Sequence, residues 1–262
     1  FSTHDASMGY FESDAILIAA TVFMILGALP FVIYIRAFLP RRFQRWRDPQ
    51  IPVFLVICAV LSLTLAASRR TINDTPFGEA LISSTFNLVS VITTTGYASE
   101  DYTLWSNAAI GIFFTAMFIG GCAGSTSGGV KANRLVILYL LVRPSLHRLV
   151  RPHAVQRLRY GNQVISTDVL QTVTIFFFLF FGTLLTGTVA LSMCGLDLTT
   201  AFTGSLATVA NVGPAFGQII GPAGNFGSLP DPALWILSIN MLLGRLELVT
   251  VLILLFPSVW VD

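Results

Sequence analysis

Residues 74–101, DTPFGEALISSTFNLVSVITTTGYASED, decide how this chain folds. The apolar part is too short to cross about 30 Å of hydrocarbon and too rich in serine and threonine. Asp74-Thr75-Pro76 is a helix-start signal, and Glu79 falls in the first turn. The pattern predicts a helix over 76–92 that descends into a membrane. Thr93-Thr94-Thr95-Gly96-Tyr97 then climbs back as extended backbone, with Glu100 and Asp101 at the surface it left. Such a re-entrant hairpin is tolerated only where protein or a water-filled path surrounds it.

The rest of the chain supplies the membrane. Of 262 residues, 54% are apolar and only 11% charged, more apolar surface than a water-soluble core could hide. Spans are expected over 15–35, kinked at Pro30, over 52–67, over 168–194 and over 233–256. The second is short at its outer end, where Arg69 and Arg70 would reach headgroups. An interrupted segment over 104–142 crosses as well. The chain opens on a polar tract without a methionine, so a preceding segment is expected.

Charge sets the orientation. Arg36, Arg41, Arg42, Arg45 and Arg47 share one short connection. Lys131, Arg134, Arg143, Arg148, Arg151, Arg157 and Arg159 share another. An even number of crossings separates them, so both belong on one side, the cytoplasm by the positive-inside rule. The segment 143–160 reads as a solvated, headgroup-binding face.

The order span, short helix, glycine turn, span occurs twice. DLTTAFTGSLATVANVGPAFGQ, 197–218, echoes the first hairpin, with Ala210-Asn211-Val212-Gly213-Pro214 where the other has its threonines. Neither tract carries a charged side chain, so any charge offered to an ion comes from carbonyl dipoles. Extended backbone along a pore can replace a cation's water shell with such oxygens. Glycine admits conformations that a Cβ forbids. The preceding helix aims its partly negative C-terminus at the same place. One copy alone is equally well a helix C-cap and turn; two copies, each after a subspanning helix, favour an ion filter.

Two further features need explanation. GGCAGSTSGG, 120–129, interrupts an otherwise apolar segment with five glycines. A packing kink needs one or two. Arg245 lies inside WILSINMLLGRLELVTVLILLF, where an isolated arginine costs about 2.5–3.5 kcal/mol, so it must face protein or a wet cavity. Glu247, two positions on, would point elsewhere on a continuous helix.

Other chemistries fit poorly. An intramembrane serine hydrolase would need a histidine at membrane depth, and His4, His147 and His153 all lie in connections. GSTSGGVK mimics a phosphate loop, but its lysine is one place late and no strand precedes it. Cys58, Cys122 and Cys194 form no CxxC pair and read as small packing residues. No cofactor, metal centre or nucleic-acid partner is expected. A co-ion-coupled secondary transporter stays open, because broken helices also build such sites.

TTTGY, ANVGP, GGCAGSTSGGVKANR, MLLGRLEL and the opening FSTHDAS together resemble the superfamily of Trk, Ktr and HKT potassium transporters. The resemblance covers essentially the whole chain. It implies an all-α polytopic membrane protein in which four span–pore helix–span units surround a central ion pathway, with re-entrant filter hairpins and one broken helix. This chain would hold the end of a second unit (1–48), a third (49–166) and a fourth (167–262), and would by itself not close a four-part filter. The resemblance assigns Thr94, Thr95, Gly96, Tyr97, Asn211, Val212 and Gly213 to the filter, with potassium at Thr94, Thr95, Asn211 and Val212. One glycine per strand implies a modest preference for potassium and rubidium over sodium.

It also makes 120–129 an intramembrane gate loop. Gly120, Gly121, Gly124, Gly128 and Gly129 permit irregular backbone, while Ser125, Thr126 and Ser127 satisfy freed polar groups. Arg245 faces the pathway as a positive barrier beneath the filter. Lys131 and Arg134 flank the gate as interfacial anchors or as transmitters of a partner's movement. The implied setting is the bacterial inner membrane, conducting potassium inward as a homodimer with a cytosolic nucleotide-binding regulatory subunit, for which 143–160 would be the docking surface.

Overall fold

A computed structural model describes residues 4, 6–38, 48–150, 158–161, 163–217 and 219–254. The opening tripeptide, Arg41, Arg42, Arg45, Arg47, Arg151, His153, Arg157 and the end of the last expected span lie outside the described residues.

Among the described residues, the regular elements are helices apart from one small hairpin. In order come α1 (Asp14–Ala28), α2 (Phe31–Phe38), α3 (Gln50–Ile72), α4 (Phe77–Ile92), α5 (Asn107–Met117) and α6 (Ala132–Val150). The hairpin pairs β1 (Arg159–Tyr160) with β2 (Gln163–Val164). Then follow α7 (Thr167–Met193), α8 (Leu198–Val209), α9 (Asp231–Arg245) and α10 (Leu248–Leu254). Among the described residues, α3 and α7 are each long and apolar enough to cross a membrane, and α1 with α2 would make a third, bent span.

Burial follows a membrane solvent. On α3, Phe54, Cys58, Leu65 and Ala66 face inward at helical spacing. The outward face stays apolar, as at Phe178 (79% exposed) and Met193 (84%) on α7. Those side chains are matched to lipid. The short helices are the reverse. From Phe86 to Ile92 every residue of α4 is buried, as is α8 from Thr203 to Val209. Each is sheathed by longer neighbours: α4 packs against α3 and α1, and α8 against α7 and α9.

Three expectations need correction. The first span is not merely kinked: α1 and α2 meet at 92°. Leu29 is extended (φ −84°, ψ 153°), as a residue before proline prefers. Phe31 N–H is satisfied instead by Gly124 O at 2.9 Å. The second span runs to Ile72, so Arg69 is buried rather than at headgroups, while Arg70 is exposed. The last span is two helices, parted at Leu246 and Glu247, with Glu247 at φ 59°. Within the basic segment, α6 continues through Pro144 to Val150, and β1 forms its end.

Candidate ion filter and gate

The two short helices end in the same turn. Thr94 N–H donates to Val91 O (3.1 Å) and Thr95 N–H to Ser90 O (2.9 Å). Asn211 N–H donates to Thr208 O (3.0 Å) and Val212 N–H to Ala207 O (2.8 Å). This is the Schellman pattern, which places its pivot residue in the left-handed region. The pivots are Thr94 (φ 56°) and Asn211 (φ 58°), and two residues on stand Gly96 (φ 81°) and Gly213 (φ 107°). Glycine or asparagine is the ordinary pivot. A β-branched threonine there costs about 1–2 kcal/mol, so Thr94 is held by its surroundings. The turn replaces the plainly extended climb expected for 93–97.

Both turns open on one cavity of about 680 Å³, which Thr94, Thr95, Gly96, Asn211, Gly213 and Arg245 help to line. Among the described residues, no donor reaches the carbonyls of Thr94, Thr95 or Asn211. The C-terminal ends of α4 and α8 lie at the turns, adding their partial negative charge. Two other expected filter residues are not among those lining this cavity. Val212 is fully buried. Tyr97 packs on Met24, Phe86 and Val89, and its carbonyl accepts from Ser90 Oγ at 2.6 Å.

A polar stripe on α4 fixes the rising limb. Asn87 Oδ1 accepts from Ser99 N–H (3.0 Å), Asn87 Nδ2 donates to Ser99 Oγ (2.7 Å), and Ser90 holds Tyr97. One turn earlier, Ser83 bonds Arg69, whose guanidinium grips Glu100 through two bonds of 2.8 and 3.2 Å. Arg69 also lies 4.2 Å above the centre of the Trp105 ring. The spacing 83, 87, 90 is a helical face of polar residues on an apolar helix, a signal present in the sequence itself. In the second copy Thr203 does this work, donating to Phe216 O at 2.9 Å and accepting from Phe216 N–H at 3.2 Å.

The glycine-rich loop runs directly beneath. Gly120, Gly124, Gly129 and Lys131 all have positive φ, between 70° and 77°. Gly128 N–H donates to Thr94 Oγ1 at 2.8 Å. A Cβ at Gly128 would stand 2.9 Å from Ala210 O and 3.0 Å from Asn211 Cβ, so only glycine fits between the two turns. At Gly121 a Cβ would strike the Ser127 side chain. Ser125 Oγ donates to Cys122 O (2.6 Å), and Thr126 Oγ1 donates to Gly27 O (3.0 Å). Cys122 N–H donates to Ala28 O (2.9 Å), stitching the loop into the bend after α1.

Arg245 stands where the loop meets α9. It donates to Thr126 O at 3.0 Å and also lines the large cavity. Loop residues 125–129 line a smaller cavity of about 160 Å³, to which Arg245, Lys131, Arg134 and Glu247 contribute. Arg245 therefore borders both spaces. Glu247 does not pair with Arg245. It accepts from Lys131 Nζ at 2.9 Å and lies 3.5 Å from Arg134, whose guanidinium covers Phe176 at 3.8 Å. These pairs, joining the loop's exit to the break between α9 and α10, were hidden by the expectation of a continuous helix.

Comparisons with known proteins agree in one direction. The family described as TrkH, cation transport protein, matches residues 1–259. The Trk system potassium uptake protein TrkI of Halomonas elongata is 46% identical over 263 residues, covering 99% of this chain and 53% of that protein. The corresponding TrkH of Vibrio parahaemolyticus is 36% identical over 267 residues, covering 99% and 54%. The crystal structure of the potassium transporter TrkH from Vibrio parahaemolyticus superposes with a TM-score of 0.90 at 35% identity, covering 99% of this chain and 56% of that one. The chain thus spans about half the length of the relatives it matches.

Proposed function

Since the chain belongs to the TrkH family of cation transport proteins, we propose that it carries part of a potassium uptake pathway in the bacterial inner membrane. The family is one of membrane transport proteins, not enzymes. The observation that carries the reading is the pair of matched turns, pivoting at Thr94 and Asn211 and opening on one cavity above a glycine-rich loop.

A desolvated monovalent cation would be held by main-chain oxygens of Thr94, Thr95 and Asn211, supported by the helix ends behind them, with the buried Val212 bracing the second turn. Tyr97 serves this filter by packing, since Ser90 occupies its carbonyl. Gly96 and Gly213 let the backbone pass on without a side chain in the way. Residues 120–129 close the pathway below, and Arg245 adds a positive charge at the constriction. Lys131 and Arg134, tied to Glu247, connect the loop's movement to the last helix. The division into units 1–48, 49–166 and 167–262 belongs to this reading. So does a homodimer with a cytosolic nucleotide-binding subunit, which rests on the family resemblance and the basic segment 143–160.

The test is uptake of rubidium and sodium by the full-length protein in proteoliposomes, with and without Gly96→Ser. A side chain at φ 81° strains the turn by about 1 kcal/mol or more. Rubidium uptake should fall and the rubidium-to-sodium ratio should approach one. An unchanged ratio in a folded variant would remove the turns from the filter.

A further inference from the structure

The gate loop is also held from the cytoplasmic side, by a chain of hydrogen bonds that begins on the β1–β2 hairpin. Tyr160 Oη donates to Asp48 Oδ1 at 2.6 Å. Asp48 Oδ1 accepts from Gln50 N–H at 3.1 Å, and Asp48 Oδ2 from Gln50 Nε2 at 2.6 Å. Gln50 Oε1 then accepts from Ala123 N–H at 2.8 Å. Asp48 and Gln50 are both buried, 8% and 4% exposed.

The chemistry gives this chain one sense. A carboxylate only accepts, so the donor end of the Gln50 amide must turn to Asp48 and its oxygen to the loop. Tyr160 supplies the remaining donor to a carboxylate that water reaches poorly, and burial beside Asp48 keeps the phenol protonated, its pKa raised. Removing either end leaves a buried oxygen short of a donor, which costs more than the bond itself contributes.

We infer that Tyr160, Asp48 and Gln50 form a polar strut that positions the gate loop from the cytoplasmic hairpin. This rests on reading 120–129 as the gate. Ala123 follows Cys122, whose N–H is tied to the bend after α1, and precedes Gly124, whose carbonyl is tied to Phe31. The strut therefore meets the loop between two of its anchors, so a shift there is shared by both. The hairpin's first strand, Arg159–Tyr160, is the end of the basic segment 143–160. A protein that pulled on that segment would act on the loop through Tyr160, without touching the pathway.

The test uses Cys122, buried in the loop, as a reporter. In the full-length protein with every other cysteine replaced by serine, alkylation of Cys122 by N-ethylmaleimide is timed in membrane vesicles, alongside rubidium uptake. Tyr160→Phe should speed alkylation about tenfold, the factor expected for one lost bond to a carboxylate. Gln50→Met, which keeps the volume without the amide, should do the same. Tyr160→Phe with Gln50→Met should be no faster than the quicker single variant, as expected of one connected strut. Unchanged alkylation in both single variants, even with a lowered melting temperature, would reduce these residues to ordinary packing and overturn the strut. Faster alkylation with unchanged rubidium flux would uphold the strut and overturn the gate.

Discussion

The N–H of Gly128 donates to the hydroxyl of Thr94 at 2.8 Å, so the glycine-rich loop touches the strained pivot of the turn after α4 directly. Thr94→Val keeps the β-branched shape, and with it the backbone strain, but removes the acceptor. About 1 kcal/mol of hold on the loop should be lost, raising unstimulated rubidium flux about fivefold. Thr94→Ser should restore the parent value. Equal flux in all three would make the contact incidental.

Arg245 caps Thr126 O from a position that also lines the larger cavity. Arg245→Ala removes both the tether and the positive charge beneath the turns, and both changes favour cation passage. Rubidium flux should rise about tenfold or more, the effect of some 1.4 kcal/mol on a barrier. Flux that falls or stays level in a correctly assembled variant counts against a barrier here.

Arg69 is the buried half of its pair with Glu100, whose side chain is 38% exposed. The partial exposure of Glu100 limits the electrostatic loss in Arg69→Gln. Stacking on Trp105 and the grip on the rising limb are lost as well. A destabilisation of about 1–3 kcal/mol is expected, read as a lower melting temperature in detergent. The rubidium-to-sodium ratio should fall with it, since Glu100 follows the limb that Asn87 and Ser90 hold.

Asp197 caps α8, accepting from Thr200 N–H at 3.1 Å, and its bonds to Thr200 hold the carboxyl below its ordinary range. A depressed carboxyl stabilises the fold fully above the unfolded value of about 4 and loses that contribution as pH falls through the folded value. Asp197→Ala should lower stability by about 1 kcal/mol at neutral pH. The gap between parent and variant should close in thermal melts taken below about pH 4. A gap independent of pH would assign the loss to something other than the carboxylate.

Local signals carried far in this chain. The proline start and the polar, apolar and glycine order of 74–101 place α4 within a residue, because such helices are set by their own termini. The clustered glycines of 120–129 mark a loop for the same reason. What escaped is long-range. Arg69 looks like a headgroup anchor until Glu100, 31 positions on, is brought beside it. Glu247 looks idle on an assumed helix and becomes the partner of Lys131 only because the chain breaks at 246 and 247. The strut through Asp48, Gln50 and Tyr160 joins three segments whose proximity no periodicity encodes. Helical spacing names a face; it does not say what that face will meet.

The right-angle elbow between α1 and α2 bears on how the molecule is made. Its backbone partners, Cys122, Gly124 and Thr126, leave the ribosome about a hundred residues after Gly27, a separation of 99 for Thr126. Until they arrive, the polar groups exposed around Pro30 have no mates in lipid. Residues 14–38 must then cross first as a straighter rod and bend later, or wait at the translocation site, so the final shape of this segment is acquired late in biogenesis.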